Sequence, residues 1–290
     1  ESKPAEPAAP SGGEKTKAGA VKVDTMKLDH LVDMVGELVI AQSMVRHDPS
    51  LAAVASSRLM RNLSQLGRIT DDLQKTAMSM RLVSLEATFR KMTRLVRDIG
   101  IKTGKNVELD CVGEETELDR NIVEALADPL LHMIRNAVDH GIETPEGRRA
   151  AGKPERARVG LKASYQAGYI QIEISDDGRG LDRDKLALKA KERGLVDDPA
   201  KLSDQEVFSM IFAPGFSTAE KVTDLSGRGV GMDVVKRQIQ KLRGRIDITS
   251  TLGQGTTFTL KLPLTLAIID GLVVGVGKDR YIIPLWVVKE

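Results

Sequence analysis

His132, Arg135, Asn136, Asp139 and His140 recur at steps of three and four in "HMIRNAVDHG", so a helix through them carries them on one side. Leu130, Met133, Ile134, Ala137 and Val138 fill the other side. Solvated helix faces are ordinarily built of Lys and Glu, whereas His, Asn and Asp in one row offer ligands and proton acceptors. The Asn136 side-chain carbonyl is a hard oxygen donor suited to Mg²⁺, which keeps most of its waters and bridges phosphates. His132, one turn earlier, has an imidazole that can accept or relay a proton near working pH. Zinc fits poorly: His132 and His140 are two turns apart, with no Cys or H-E-x-x-H beside them.

Three glycine-containing segments follow this helix. "SDDGRGLD", Ser175 to Asp182, comes directly after the strand-like "YIQIEI". Gly178 and Gly180 permit a tight turn and close approach of backbone to a ligand. Asp176 ends the strand, and its carboxylate is an acceptor for an exocyclic amine. A plain strand–turn–helix capped by Asp reads equally well from so short a motif. "FAPGFST", Phe212 to Thr218, reads either as a lid that packs its aromatics on closing or as an ordinary connection with two buried Phe. "LSGRGVGMDVVKRQI" sets Gly227, Gly229 and Gly231 before a helix starting near Met232, where free backbone N–H groups bind phosphates. Its G-x-G-x-G spacing after a loop differs from the Rossmann fingerprint, and a Walker loop is excluded for want of G-K-[ST]. A nucleoside triphosphate between the opening helix and these glycine segments fits all of them.

The elements that must position these groups show in the hydrophobic pattern. "NVELDCVG", "ARVGLKAS", "GYIQIEIS", "GRIDITS" and "GTTFTLKL" alternate apolar and polar residues, as half-buried strands do. Helical stretches are expected at 119–140, 182–193, 203–212 and 231–243. Together they argue for an α/β sandwich whose sheet is covered on one face. Cys111, the single cysteine, alternates with Val107 and Leu109 and reads as a small core residue of a strand. It permits no internal disulfide and suits a reducing compartment.

Upstream, Asp24 can cap a helix along which Leu28, Leu31, Val32, Val35, Leu38 and Val39 recur, ending near Asp48-Pro49. Leu59, Leu63, Leu66, Thr70, Leu73, Ala77 and Met80 form a heptad-like seam. Its phase slips after Met80 and resumes as Leu85, Phe89, Met92, Val96 and Ile99. An antiparallel hairpin results, and its exposed apolar stripe calls for a second copy. Residues 1–22, rich in Pro, Ala, Gly, Ser and charge, read as a flexible linker. Opening on Glu1 rather than Met, the chain is expected to be processed or a fragment. From about Leu264 a further strand-like texture starts, expected to be the beginning of a unit the chain does not complete, with Trp286 expected to pack in it.

Composition narrows the function. Lys plus Arg is 43 against Asp plus Glu at 41, and aromatics are 3%, which leaves neither the charge nor the stacking platforms for nucleic acid. The longest apolar run, "LPLTLAIIDGLVVGVG", contains Asp270 and several glycines and is too short to span a bilayer. No direct membrane insertion is expected, and the cytoplasm is the expected location.

"HMIRNAVDHGIE", "DDGRGLD", "FAPGFST" and "GRGVGMDVVK" follow the order of the N box, first glycine box, F box and second glycine box of the ATP-binding fold shared by gyrase, Hsp90, histidine kinases and MutL. Their wording, together with "LDHLVDMVGELVIAQS", resembles the chemotaxis histidine kinases of the CheA type over residues 23–290. The resemblance implies a multidomain chain. A helical hairpin forming a dimeric four-helix bundle is followed by an α/β sandwich of the Bergerat (GHKL) ATPase type, then by the beginning of an all-β SH3-like domain. The expected boundaries are 1–22 for the linker, 23–100 for the dimerisation hairpin, 101–263 for the catalytic domain and 264–290 for the truncated regulatory domain.

The same resemblance implies ATP and Mg²⁺ as cofactors, with Asn136 on the metal and His132 and Asn136 catalytic. Asp176 would read adenine in a pocket shaped by Gly178 and Gly180. Gly229, Gly231 and Lys221 would contact phosphates, Asp139 and His140 would line the phosphate end, and Ser217 and Thr218 would belong to a lid. Transfer of the γ-phosphoryl group to a histidine on a separate phosphotransfer domain is implied, in trans within a homodimer. A CheW-like adaptor, chemoreceptor cytoplasmic tips and response regulators are the implied partners. Neither His30 nor His47 carries the sequence of a phosphoacceptor, and both are expected to be solvated. Two rivals remain: an ATPase clamp of the gyrase, Hsp90 or MutL type, which needs a Glu where His132 stands, and a catalytically silent scaffold.

Overall fold

A computed structural model describes residues 23–48, 50–51, 56–166, 169–196, 198, 202–216, 231–263, 271–277 and 279–284. The chain divides into two compact units, Glu1–Ala77 and Met78–Glu290.

The first unit is helical. Asp24 accepts a hydrogen bond from the Met26 N–H at 2.9 Å and starts α1 (Thr25–Arg46). Helix α2 spans Ser57–Ser79, and its Gly67 faces the end of the Gln42 side chain of α1. Met26, Met34, Leu38, Ile40, Met60, Leu66, Ile69 and Leu73 are exposed. Helices with so much apolar surface left in water bury little by themselves.

The second unit opens with a ribbon of β1 (Leu82–Ser84) paired antiparallel with β3 (Glu117–Asp119). Between them lie α3 (Glu86–Thr103) and β2 (Val107–Val112). Helix α3 ends at Gly104, whose φ of 68° is the left-handed conformation a helix C-terminus favours. Next come α4 (Arg120–Asn136), a π-helical turn (Ala137–Gly141) and the short α5 (Pro145–Ala150). The chain continues through β4 (Ala157–Gln166), β5 (Tyr169–Asp176), α6 (Arg183–Glu192), α7 (Asp204–Ser209), a 3₁₀ turn (Met210–Phe212) and α8 (Met232–Lys241). Strands β6 (Arg245–Thr251) and β7 (Gly255–Pro263) complete the sheet.

Among the described residues the order is β2-β4-β5-β7-β6, with β2 parallel to β4 and the other pairs antiparallel. Period-two alternation sends Val159 and Leu161, Ile172 and Ile174, and Phe258, Leu260 and Leu262 into one core with Leu126, Leu130 and Met133 of α4 and Val235 and Ile239 of α8. The other face is polar, with Gln171 beside Glu173 and Lys261 beside Asp247. This is the expected α/β sandwich covered on one face. A separate hairpin, β8 (Gly271–Val276) with β9 (Asp279–Pro284), falls in the strand-like C-terminal texture. Trp286 and residues 1–22 lie outside the described residues.

One expectation shifts. The stripe Leu85, Phe89, Met92 and Val96, read as the end of the hairpin, is buried in the core of the second unit. The compact-unit boundary therefore falls at Ala77/Met78 instead of residue 100. The phase slip after Met80 is where α2 stops and β1 pairs with residues 117–119. An apolar stripe specifies burial but not the partner it is buried against.

Cys111 is half-buried with its thiol 3.8 Å from the Thr93 hydroxyl, and burial pushes its pKa up. A raised thiol pKa suits a packing residue, not a nucleophile.

Candidate functional site

The opening helix does not run as an α-helix to His140. It ends at Asn136, and the chain widens into the π turn closed by the Ile142 N–H donating to the Ala137 carbonyl at 2.8 Å. Such wide turns concentrate at functional sites. Their extra residue takes Asp139 and His140 off the α-helical row that His132 and Asn136 define.

Lys105, just beyond α3, holds this turn. Its ammonium donates to the carbonyls of Val138 (2.7 Å), Asp139 (2.9 Å) and Ile142 (2.8 Å). A helix C-terminus leaves carbonyls without intrahelical partners, and here one cation serves three of them. Burial lowers the pKa of the Lys105 amine, and the nearby Asp139 carboxylate opposes that shift.

Asp176 closes β5 on the helix-covered side of the sheet, in register with Val159 of β4 and Thr256 of β7. The N–H of Gly178 donates to its carboxylate at 2.9 Å, and so does the backbone of Thr256. Burial, reinforced by the charges of Asp177 and Glu143, still raises its pKa to about 6. The π turn meets this carboxylate directly, since a Cβ on Gly141 would stand 3.2 Å from Asp176 Oδ1. The Arg179 N–H then donates to the Gly141 carbonyl at 2.9 Å, stitching the glycine turn to the helix end. Gly178 sits where a Cβ would come within 2.2 Å of that carbonyl oxygen. Gly180, with φ of 68°, faces the Thr251 carbonyl at the turn into β7.

Gly178→Ala is accordingly expected to destabilise the second unit by about 1–3 kcal/mol, the usual cost of overpacking. Its melting temperature and its affinity for ADP should fall together. Retention of both would show that the two turns need no such close approach.

On the other side of Asn136 stands the start of α8. Gly231 is its N-cap, and the Asn136 amide nitrogen donates to the Met232 sulfur at 3.1 Å. Among the described residues this N-terminus carries no side-chain cap hydrogen bond, and the Asp233 carboxylate in its first turn is paired with Arg237. The structure thus brings together Asn136, Gly141, Asp176, Gly178 and Gly231. His132 is half-buried; burial first, then Arg135 and His140, hold its pKa below the ordinary imidazole value. It is neutral at neutral pH and able to accept a proton. His140 is exposed and Asp139 half-buried. Phe212 and Phe216 are both buried, Phe212 edge-on to Phe258 at 6.3 Å. Ser217, Thr218, Lys221 and Gly229 lie outside the described residues.

The sequence reading missed the charged cage behind the glycine turn. Arg148 of α5 is 2% exposed, donates from Nε to the Pro154 carbonyl at 2.6 Å and binds the Asp177 carboxylate with both terminal nitrogens at 3.0 and 2.8 Å. Lys153 donates to Glu143 (2.8 Å) and to the carbonyls of Asp177 (2.9 Å) and Gly178 (2.7 Å). Burial would raise the pKa of Glu143, but Lys153 and Arg148 outweigh it and leave the carboxyl below its ordinary value. The available signal was weak: Thr144 before Pro145 marks a helix start, and the Thr144 hydroxyl accepts from the Gly147 N–H.

Residues 125–266 match the family model of histidine kinase-, DNA gyrase B-, and HSP90-like ATPases. Residues 19–80 match that of the signal transducing histidine kinase homodimeric domain. The chemotaxis protein CheA of Klebsiella aerogenes is 48% identical over 276 residues, 95% of this chain and 42% of that protein. CheA of Salmonella typhimurium is 48% identical over 272 residues, covering 93% and 40%, and CheA of Bacillus subtilis 40% identical over 277 residues, covering 95% and 40%. The chain spans about two fifths of the length of these curated relatives. A helical unit matching the dimerisation model precedes a one-sided α/β sandwich matching the ATPase model, and the alignments with the relatives span 93–95% of the chain. The chain belongs to the CheA family of chemotaxis histidine kinases.

Proposed function

We propose that this chain is a kinase core that binds Mg-ATP and transfers its γ-phosphoryl group to a histidine on a separate phosphotransfer domain, in trans within a homodimer. The observation that carries the reading is that close contacts link three features. These are the Asp176 carboxylate at the end of β5, Asn136 at the end of α4, and the uncapped N-terminus of α8. Adenine would donate its exocyclic amine to Asp176, and the α8 N–H groups, with Lys221 and Gly229, would face phosphate oxygens.

Asn136 fits a magnesium site. Its Oδ1 has no protein partner among the described residues, and no group of three or more His, Cys, Asp or Glu among them could hold a metal alone. One side-chain oxygen plus substrate phosphates is an ordinary way to bind Mg²⁺. When bound, the ion would neutralise charge on the transferring phosphoryl group. The acceptor imidazole nitrogen forms a bond to the γ-phosphorus as the bond to the β–γ bridging oxygen breaks, and ADP departs. His132, neutral and one turn from Asn136, is the residue to orient the acceptor or take its proton. Asp139 and His140 would line the phosphate end, with Ser217 and Thr218 in a lid.

The exposed apolar stripes of α1 and α2 are offered as the surface that a second copy covers. A CheW-like adaptor, chemoreceptor tips and response regulators are the proposed partners, placing the protein in the cytoplasm. Among the described residues no helix is long and apolar enough to cross a membrane.

Incubation with Mg-ATP and a separately prepared phosphotransfer domain should yield acid-labile phosphate on that domain. Its absence, with an acceptor known to be competent, would overturn the assignment, and free phosphate without an acceptor would favour an ATPase clamp. Asn136→Asp should reduce transfer by at least about a hundredfold, within the range seen when one preorganised charge-stabilising group is removed. Unchanged turnover would exclude Asn136 from the metal.

A further inference from the structure

We propose that Met232 is a positioning residue that fixes which end of the Asn136 carboxamide faces the metal. The inference rests on the Mg-nucleotide reading above. A carboxamide is nearly symmetric in shape, so packing alone does not decide which way it turns. A thioether sulfur accepts but cannot donate. With Met232 Sδ 3.1 Å from Asn136 Nδ2, the amino end points at the sulfur. The reversed amide would set oxygen lone pairs against sulfur lone pairs. The Asn136 carbonyl oxygen is therefore turned away from Met232, with no protein partner among the described residues, as a metal ligand must be.

The sulfur is held firmly enough to do this. Met232 is the first residue of α8, whose Val235 and Ile239 are fully buried in the shared core. Met232 itself packs against that core. On the other side, Met133 and Ile134 fix the last turn of α4 in the same core. The residue that opens the candidate phosphate-binding helix thus also orients the candidate metal ligand. Correct docking of α8 and correct aim of Asn136 become one event.

The test is calorimetric binding of ADP at increasing Mg²⁺ and in EDTA, on the wild-type chain, Met232→Leu and Met232→Gln. Leu conserves volume without an acceptor, whereas Gln returns an oxygen acceptor at similar reach. Met232→Leu should raise the Mg²⁺ concentration needed for half-maximal tightening roughly fivefold, the size of one neutral hydrogen bond. Its metal-free affinity and its melting temperature without ligand should stay at wild-type values, and Met232→Gln should recover most of the loss. In an Asn136→Ala background, Met232→Leu should have no further effect on the Mg²⁺ response. A wild-type Mg²⁺ response in Met232→Leu, or an equal loss with and without metal, would overturn the positioning role alone. A wild-type chain that binds no ADP in either condition would overturn the Mg-nucleotide reading as well. If Met232→Leu melts early, the Gln variant carries the comparison: wild-type stability with recovered Mg²⁺ response supports the role, and stability without that response overturns it.

Discussion

Asp176→Asn is expected to weaken ADP binding roughly a hundredfold, the upper range for a hydrogen bond to a charged group, while the variant melts no lower than the wild type at neutral pH. The two halves have different causes. The carboxylate offers acceptors only, whereas a carboxamide held by the N–H groups of Gly178 and Thr256 would turn its amino end toward the adenine amine, donor against donor. Stability moves the other way because the folded chain holds this carboxyl at about 6, above its ordinary 3.8. A raised carboxyl pKa contributes stability that is fully present below about 3.8 and lost as pH rises through about 6. At neutral pH the ionised group therefore costs on the order of 3 kcal/mol, which the neutral amide avoids. The wild-type affinity for ADP should fall as pH drops below about 6, because the bound nucleotide requires the ionised form. The variant should lose the part of this dependence that Asp176 carries and keep only that of the ADP phosphate, whose last proton also leaves near about pH 6. Calorimetry across pH reads both, and an unchanged affinity in the variant would remove Asp176 from the nucleotide site.

Arg148→Met should cost the second unit about 3 kcal/mol, the low end for breaking a buried pair, because it leaves Asp177 without its bidentate partner and Glu143 with Lys153 alone. For a unit of this size that corresponds to a fall in melting temperature of roughly 10 °C. Arg148→Lys should recover only part of the loss, since an ammonium cannot span both oxygens of Asp177 as the guanidinium does. Added salt should shrink the difference only in part, because Arg148 is buried while the Asp177 side chain is 36% exposed. Thermal melts at low and high salt check all three statements. A Met variant melting like the wild type would mean that the cage is an incidental contact. Lys153→Met should be milder, as Lys153 retains some exposure.

What the sequence disclosed and what it hid divide along physical lines. "YIQIEIS" alternates because one face of β5 is buried, so the strand and the place of Asp176 at its end were readable without coordinates. Gly231 before Met232 likewise announced an N-terminus, and α8 begins there. The stripe through Leu85, Phe89 and Met92 was equally plain as a helix, but periodicity does not say which body the helix is packed on. The π turn left no mark, because it depends on a lysine more than thirty residues away for its carbonyl partners. Glu143, Arg148, Lys153 and Asp177 are residue types of ordinary surfaces, and only their burial makes them a cage. The Met232–Asn136 contact was hidden because the two segments are 96 residues apart.

The Lys105 ammonium has a consequence for how the second unit comes apart. All three of its N–H groups are engaged, and their acceptors are the carbonyls of a single turn. Fraying of that turn therefore breaks bonds to the ammonium as well as the turn's own hydrogen bonds. The corner between α3 and β2 and the end of α4 are in effect cross-linked without a covalent bond. They are expected to open as one cooperative block, so that the backbone amides of both share a similar protection against solvent exchange.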